Sequence, residues 1–206
     1  KHTDDRLFLS WVMLRSKASD FDYTCISSLH QDWNRYFNKK DNDDTLTKRS
    51  IIYWAKQDAY EDYIKVKETN VNAMIDNTLF TNNDFDFAQV LHYMYKEKYV
   101  CTSITNKTWY VFKGHRWEPD RGMTIRLALS KEVFNLYQRK ITQCVIEAKD
   151  LNHDTDEYTK LMKKSGQYAK ISEKLKKTSD KNNIIREAME LFYDKHFVQL
   201  IDSNKF

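Results

Sequence analysis

Residues 99–119 read YVCTSITNKTWYVFKGHRWEP. Elsewhere in the chain apolar residues recur every three or four positions; here the period changes. YVCTSI (99–104) and TWYVFK (108–113) are dense in β-branched and aromatic residues. Thr105, Asn106 and Lys107 separate them, which predicts a hairpin. HRWEP adds a short third strand before Asp120–Gly122 turns the chain. Side chains alternate along a strand, so Trp109, Val111 and Lys113 share one face, and Thr108, Tyr110 and Phe112 the other. Both faces are largely apolar. The hairpin is therefore expected to pack on helices at least in part, with Trp109 in a core and not on a base-stacking surface. Its cations are Lys107, Lys113, His115, Arg116 and Arg121. They gather at the tip and the strand exit, where a wing would meet phosphates.

Helical patterns flank the hairpin. Upstream, Asp84 or Asp86 is the expected cap of a helix carrying Phe87, Val90, Leu91, Met94 and Tyr95. Downstream, a long helix starts at Met123 and keeps Leu129, Val133, Leu136, Tyr137, Ile141, Val145 and Ala148 on one face. LNHDTD (151–156) is a break. Helices at about 156–177 and 180–201 follow, the last with Ile184, Ile185, Ala188, Leu191, Phe192 and Leu200. Nearer the start, Thr3, Asp4 or Asp5 would cap a helix with Leu7, Phe8, Trp11 and Leu14. Asp20 and Asp22 precede a second, with Ile26, Leu29, Trp33, Tyr36 and Phe37. After the polar loop NKKDNDD (38–44), Thr45 or Thr47 would cap a third, with Ile51, Trp54, Ala55, Ala59, Tyr63 and Val66. These three make a small bundle, each helix marginal alone. Residues 67–83 are polar and weakly periodic, which suggests a linker holding a short helix. The expected organisation is a three-helix domain (1–68), a linker (69–83), and a helical domain with an inserted hairpin (84–206). The fold class is mainly α, and the second domain allows a winged-helix-like arrangement.

The 206 residues are 41% hydrophobic and 31% charged, with a net charge of +4. That suits one large or two small soluble domains, and permits nucleic-acid binding without demanding it. No apolar run reaches eighteen residues, and no signal-like segment opens the chain. Lys1 in place of Met suggests a fragment of a longer protein. Cys25, Cys101 and Cys144 lie far apart, which suggests buried thiols in a reducing compartment and no zinc site. Three glycines and one proline favour long helices over tight turns.

Catalytic signatures are few. Three isolated glycines cannot form a phosphate loop. No Cys/His group has metal-ligand spacing. His92 and His196 sit inside apolar helical patterns. The pairs Asp20/Asp22 and Asp84/Asp86 have the form that holds divalent metals in nucleotidyl-transfer sites. Both directly precede helices, however, and capping explains them more simply. Basic residues carry the stronger signal. From Lys160 to Lys181 eight lysines (160, 163, 164, 170, 174, 176, 177 and 181) stand against Glu173 and Asp180, with Tyr158 and Tyr168 in or beside the run. On helices that is a surface able to displace counterions from a phosphate backbone, or a solvated lysine face. The candidate DNA contacts are Lys107, Lys113, His115, Arg116, Arg121, Lys160, Lys163, Lys164, Lys170, Lys174 and Lys177.

The strings FLSWVMLRSKASDFDYTCISSLHQDWNRYF (8–37) and TLTKRSIIYWAKQDAYEDY (45–63) resemble the helical domain that follows the primase domain in viral primase–helicases. The resemblance rests on Trp11, Ser16, Asp20–Tyr23, Trp33, Thr47, Ser50, Trp54 and Ala55. DFAQVLHYMYKEKYVCTSITNKTWYVFKGHRWEPD (86–120) is similar to the segment before the ATPase of the poxvirus-type and giant-virus enzymes, the nucleocytoplasmic large DNA viruses. There Lys98–Tyr99–Val100, Trp109–Tyr110, Phe112 and His115–Arg116–Trp117 carry the match. The resemblance implies a central, non-catalytic segment of a replication protein. An archaeo-eukaryotic-type primase would precede it and a superfamily-3 helicase, a hexameric NTPase using ATP and magnesium, would follow. It also implies the reducing cytoplasm of a host cell, in a viral replication factory. No catalytic residue carries over, and no cofactor is expected in the segment. Three functions stand open: coupling primase to helicase with sequence-independent DNA contact; assembly of the ring, or contact with other replication proteins, without DNA; and a metal-dependent nuclease or nucleotidyltransferase built on the Asp pairs.

Overall fold

The computed structural model describes residues 7–17, 21, 26–37 and 48–202. They are mainly helical, with one three-stranded sheet. The chain divides into two compact units, Lys1–Ile64 and Lys65–Phe206.

The first unit contains α1 (Leu7–Arg15), α2 (Ile26–Phe37), α3 (Lys48–Asp58) and the start of α4 (Tyr60–Thr81). Aromatic rings join α1 to α2. Trp33 is buried, and the rings of Phe8 and Trp11 lie 5.8 and 5.7 Å from it. The third helix expected from sequence is two. The break falls at Ala59, yet Ala59 N–H still donates to Ala55 O (3.1 Å) and Tyr63 N–H to Ala59 O (2.9 Å). The caps proposed at Thr3, Asp4, Asp5, Thr45 and Thr47, the Asp20/Asp22 pair, the 38–44 loop and Cys25 lie outside the described residues.

The stretch 69–83, expected as a linker holding a short helix, is helical through Thr81 as the end of the longer α4. Val71, Ile75 and Thr78 of α4 are buried in the core of the second unit. They recur at positions 71, 75 and 78, a helical stripe too thin to outweigh the polar residues around it in sequence. α5 (Asp84–Tyr95) buries Phe87, Ala88, Val90, Leu91 and Tyr95. Its cap is Asn83, whose side chain accepts from the Asp86 N–H at 2.8 Å. Asp84 and Asp86, expected as caps, instead occupy the first turn, where a carboxylate favours the positive end of the helix dipole.

The sheet follows: β1 (Tyr99–Ser103), β2 (Thr108–Phe112) and β3 (Trp117–Asp120), antiparallel in that order. Tyr99, Cys101, Trp109 and Val111 face the core. The ring of Trp109 meets Phe192 at 5.4 Å. On the other face Tyr110 and Trp117 pack on Phe197, at 5.6 and 4.8 Å. The edge strand β1 is fastened to the chain near Tyr193: Cys101 N–H donates to Phe192 O and Asp194 N–H to Cys101 O, both at 2.9 Å. Covering an edge removes its row of unpaired amides. One face of the sheet is thus built into the core, and the other is half-buried and packs in part on Phe197.

Gly122 ends the sheet at φ 73°. A Cβ there would lie 3.0 Å from the Trp109 indole nitrogen, so both conformation and space call for glycine. The long helix expected from Met123 is α6 (Met123–Ala128), a π turn (Leu129–Val133) and α7 (Phe134–Lys149). The π turn spaces the buried residues four apart, at Ile125, Leu129, Val133 and Tyr137. Beyond it Cys144 and Ala148 are buried and Val145 is exposed, a one-residue correction to the expected face. α8 (Asp156–Lys174) is capped by Thr155, whose hydroxyl accepts from Tyr158 N–H at 3.2 Å, and packs along α7. α9 (Thr178–Leu191) packs on α5, and a short α10 (Phe197–Asp202) completes the unit.

Candidate nucleic-acid interface

The candidate cations fall into separate groups, and the register explains the first division. Trp109 pairs with Asp120 and Phe112 with Trp117. Arg121 thus leaves the sheet at the end where Lys107 begins β2. Lys113, His115 and Arg116 lie in the turn at the opposite end, about 17 Å away along a five-residue strand. Lys107 occupies the β1–β2 turn at φ 51° and is exposed. In the β2–β3 turn Gly114 takes φ 89° and Lys113 N–H donates to Arg116 O at 2.8 Å. Arg116 is exposed and its guanidinium pairs with Glu118 through Nε (2.8 Å) and Nη2 (2.7 Å). The five basic residues of the hairpin are thus split between its two ends, and one of them is paired with Glu118.

The lysines of α8 are better aligned. At 100° per residue Lys160, Lys163, Lys170 and Lys174 fall within about 80° of one another. The buried residues Ser165, Tyr168, Ile171, Ser172 and Leu175 centre about 130° away. The acids of α8 sit at its ends: Asp156 and Glu157 in the first turn, Glu173 in the last. Lys160, Lys163 and Lys170 are exposed, and their ammonium groups have no carboxylate partner among the described residues. Lys164 is half-buried over the Tyr168 ring at 5.8 Å. Lys174 is half-buried too: it donates to Asn82 O at 3.4 Å and lies 5.8 Å from the Phe87 ring. Lys177 is exposed at the residue preceding α9. Among the described residues no hydrogen bond, ion pair or ring contact joins these lysines to the sheet cations.

A polar cluster that sequence reasoning missed fixes α8. Asp76 of α4 holds Lys140 of α7 at 3.0 Å and accepts from the buried Tyr168 hydroxyl of α8. Burial alone would raise the Asp76 pKa, but the Tyr168 and Lys140 hydrogen bonds outweigh it and hold the carboxyl below its ordinary value. Beside it Thr78 and Tyr137 share a buried hydrogen bond of 2.9 Å. At the far end Ser130 donates to Leu175 O (3.2 Å), and Arg126 reaches Asn182 of α9. Asp76 and Tyr168 are 92 positions apart, and nothing local in the sequence marks them as partners.

Other expected features have ordinary places. His92 meets Phe192 edge-on at 4.8 Å, and burial, with Lys96 nearby, lowers its pKa. His196 is exposed. Cys101 and Cys144 are buried free thiols whose pKa burial raises. No group of three His, Cys, Asp or Glu able to hold a metal occurs among the described residues. No helix among them is long and apolar enough to cross a membrane.

The sequence pattern of the family described as D5 N terminal like matches residues 88–206, more than half of the chain. The chain belongs to the D5 N terminal like family. Its relatives come from large DNA viruses. A protein of Acanthamoeba polyphaga mimivirus, named as a helicase, is 26% identical over 205 residues, covering 98% of this chain and 20% of its own length. A protein of African swine fever virus, named as a primase, is 27% identical over 202 residues, covering 85% and 20%. One of Frog virus 3, named as a helicase, is 26% identical over 200 residues, covering 82% and 20%. The chain thus spans about a fifth of the length of the curated relatives it matches. In this D5 N terminal like chain the family match begins within α5 and takes in the sheet and α6–α10, and with them both groups of cations.

Proposed function

We propose that this D5 N terminal like chain is a non-catalytic module of a viral replication protein, one that links primase to helicase and holds DNA by its phosphates. The observation that carries the reading is the exposed face of α8, where Lys160, Lys163 and Lys170 stand together without carboxylate partners. Such a face recognises regularly spaced negative charge and no base edge, so binding is independent of sequence. The turn cations Lys107, Lys113, His115 and Arg121 contribute weaker contacts, and Arg116 contributes least. In the parent protein a primase precedes this module. A hexameric superfamily-3 ATPase, with ATP and magnesium, follows. The setting is a replication factory in the host cytoplasm.

Fluorescence anisotropy of a labelled oligonucleotide across a salt series tests the proposal. Binding is expected in the micromolar range at low salt and to weaken steeply as salt rises. The double charge reversal Lys163→Glu/Lys170→Glu should reduce the slope of log K against log salt by about 1.5, at 0.7–0.9 per phosphate contact. No binding at low salt, or an unchanged slope in the double variant, overturns it. In that event assembly is the better reading, favoured by the exposed Tyr53, Trp54 and Tyr60 of the first unit.

A further inference from the structure

Phe80 is the most exposed large hydrophobic residue among those described, at 86%. It lies on α4, outside the stretch matched by the family pattern, and contributes nothing to the core. Its position relative to α8 follows from two contacts. Asp76, one turn earlier on the same face of α4, reaches the Tyr168 hydroxyl. Asn82, two residues later, receives the Lys174 ammonium through its carbonyl at 3.4 Å. These contacts bracket Phe80 and lay the end of α4 beside residues 168–174 of α8, running the same way. Lys174 belongs to the lysine face, so the end of α4 that carries Phe80 lies near that face.

We propose that Phe80 is a stacking platform for a base of single-stranded nucleic acid whose phosphates lie along the α8 lysines. The inference deepens the DNA-binding reading above and rests on it. An exposed benzyl group has no hydrogen-bonding atom, so it offers any base the same π face. The lysines beside it favour a polyanion over an apolar protein surface. Lys163, Lys170 and Lys174 extend along about 16 Å of helix, room for several phosphates of an extended strand. Asp76, one turn from Phe80 on α4, is already paired with Lys140 at 3.0 Å. Across the turn at Asn82, where φ is 45°, Phe85 is 41% exposed. A base inside a duplex has its faces covered by its neighbours, so the platform selects single strands.

The test is anisotropy of the 206-residue chain with three probes: an oligothymidine, an abasic strand of equal length, and a duplex. Phe80→Leu keeps the residue apolar and removes the aromatic face. It should weaken oligothymidine binding by about tenfold or more, leave the abasic strand and the duplex unchanged, and keep the salt slope. Phe80→Tyr should restore wild-type affinity. An equal loss on all three probes, or no loss on any, overturns the stacking proposal while the phosphate reading stands if Lys163→Glu/Lys170→Glu still lowers the slope. Loss of self-association in Phe80→Leu with unchanged DNA binding also overturns it, and assigns the ring to a protein contact.

Discussion

The sheet of residues 99–120 and helix α8 are both rich in cations and aromatics, yet they use them in opposite ways. In the sheet the aromatics fill the interior and the cations are left at two separate turns. In α8 one aromatic, Tyr168, is buried and held by Asp76, while the lysines share one exposed face. The difference comes from geometry. A two-residue period gives two faces, and in this sheet one is buried in the core and the other packs in part on Phe197. A 3.6-residue period leaves a broad outer face even when the inner face is buried. A basic cluster in sequence becomes a basic surface only when the local period gathers it on one uncovered face.

The largest expected effect tests the sheet as core. Trp109→Ala removes a fully buried ring packed on Phe192 and should destabilise the second unit by about 3–5 kcal/mol. Urea denaturation followed by circular dichroism reads this. A cost under about 1 kcal/mol would mean that the sheet does not anchor the core.

Asp76→Ala is next and sharpens the contrast on the helical side. It leaves the buried Tyr168 hydroxyl without its acceptor and Lys140 without its partner, for a loss of about 2 kcal/mol. The pH dependence has a definite sign. Because the folded-state pKa of Asp76 lies below its ordinary 3.8, its contribution is present above that value and lost as pH falls through the lowered one. The wild-type chain should therefore lose more stability than Asp76→Ala on acidification below about pH 4. Parallel acid limbs in denaturant titrations at several pH values would contradict the assignment.

The smallest effect belongs to Arg116→Gln, which breaks only an exposed pair with Glu118. A change under about 0.5 kcal/mol in stability is expected, with DNA affinity altered less than by Lys163→Glu. A larger loss of DNA binding from Arg116→Gln than from Lys163→Glu would reverse the comparison and return the interface to the β2–β3 turn.

Much of this organisation was legible in the chain itself. The change of period at Tyr99, the third strand from Trp117, the helix of Phe87–Tyr95 and the burial of Trp109 follow from side-chain spacing, because an amphipathic element writes its period into a dozen residues. Buried thiols at Cys101 and Cys144 followed from their isolation. The full length of α4 was not legible, because three buried positions among many polar ones make too thin a stripe. The cap at Asn83 was missed because its Asp neighbours are equally good caps. The π turn was missed because one extra residue shifts a face without a distinctive composition.

By itself, then, the sequence determined what is local: helix, strand, turn, and which residues avoid water. Only the tertiary structure decided which charges meet. Asp76 found Lys140 and Tyr168 across 64 and 92 positions, and Phe80 was left bare at the end of α4. The physical reason is that periodicity is a property of neighbours along the chain. Charge pairing and residual exposure depend on neighbours in space, and those exist only once the helices have packed.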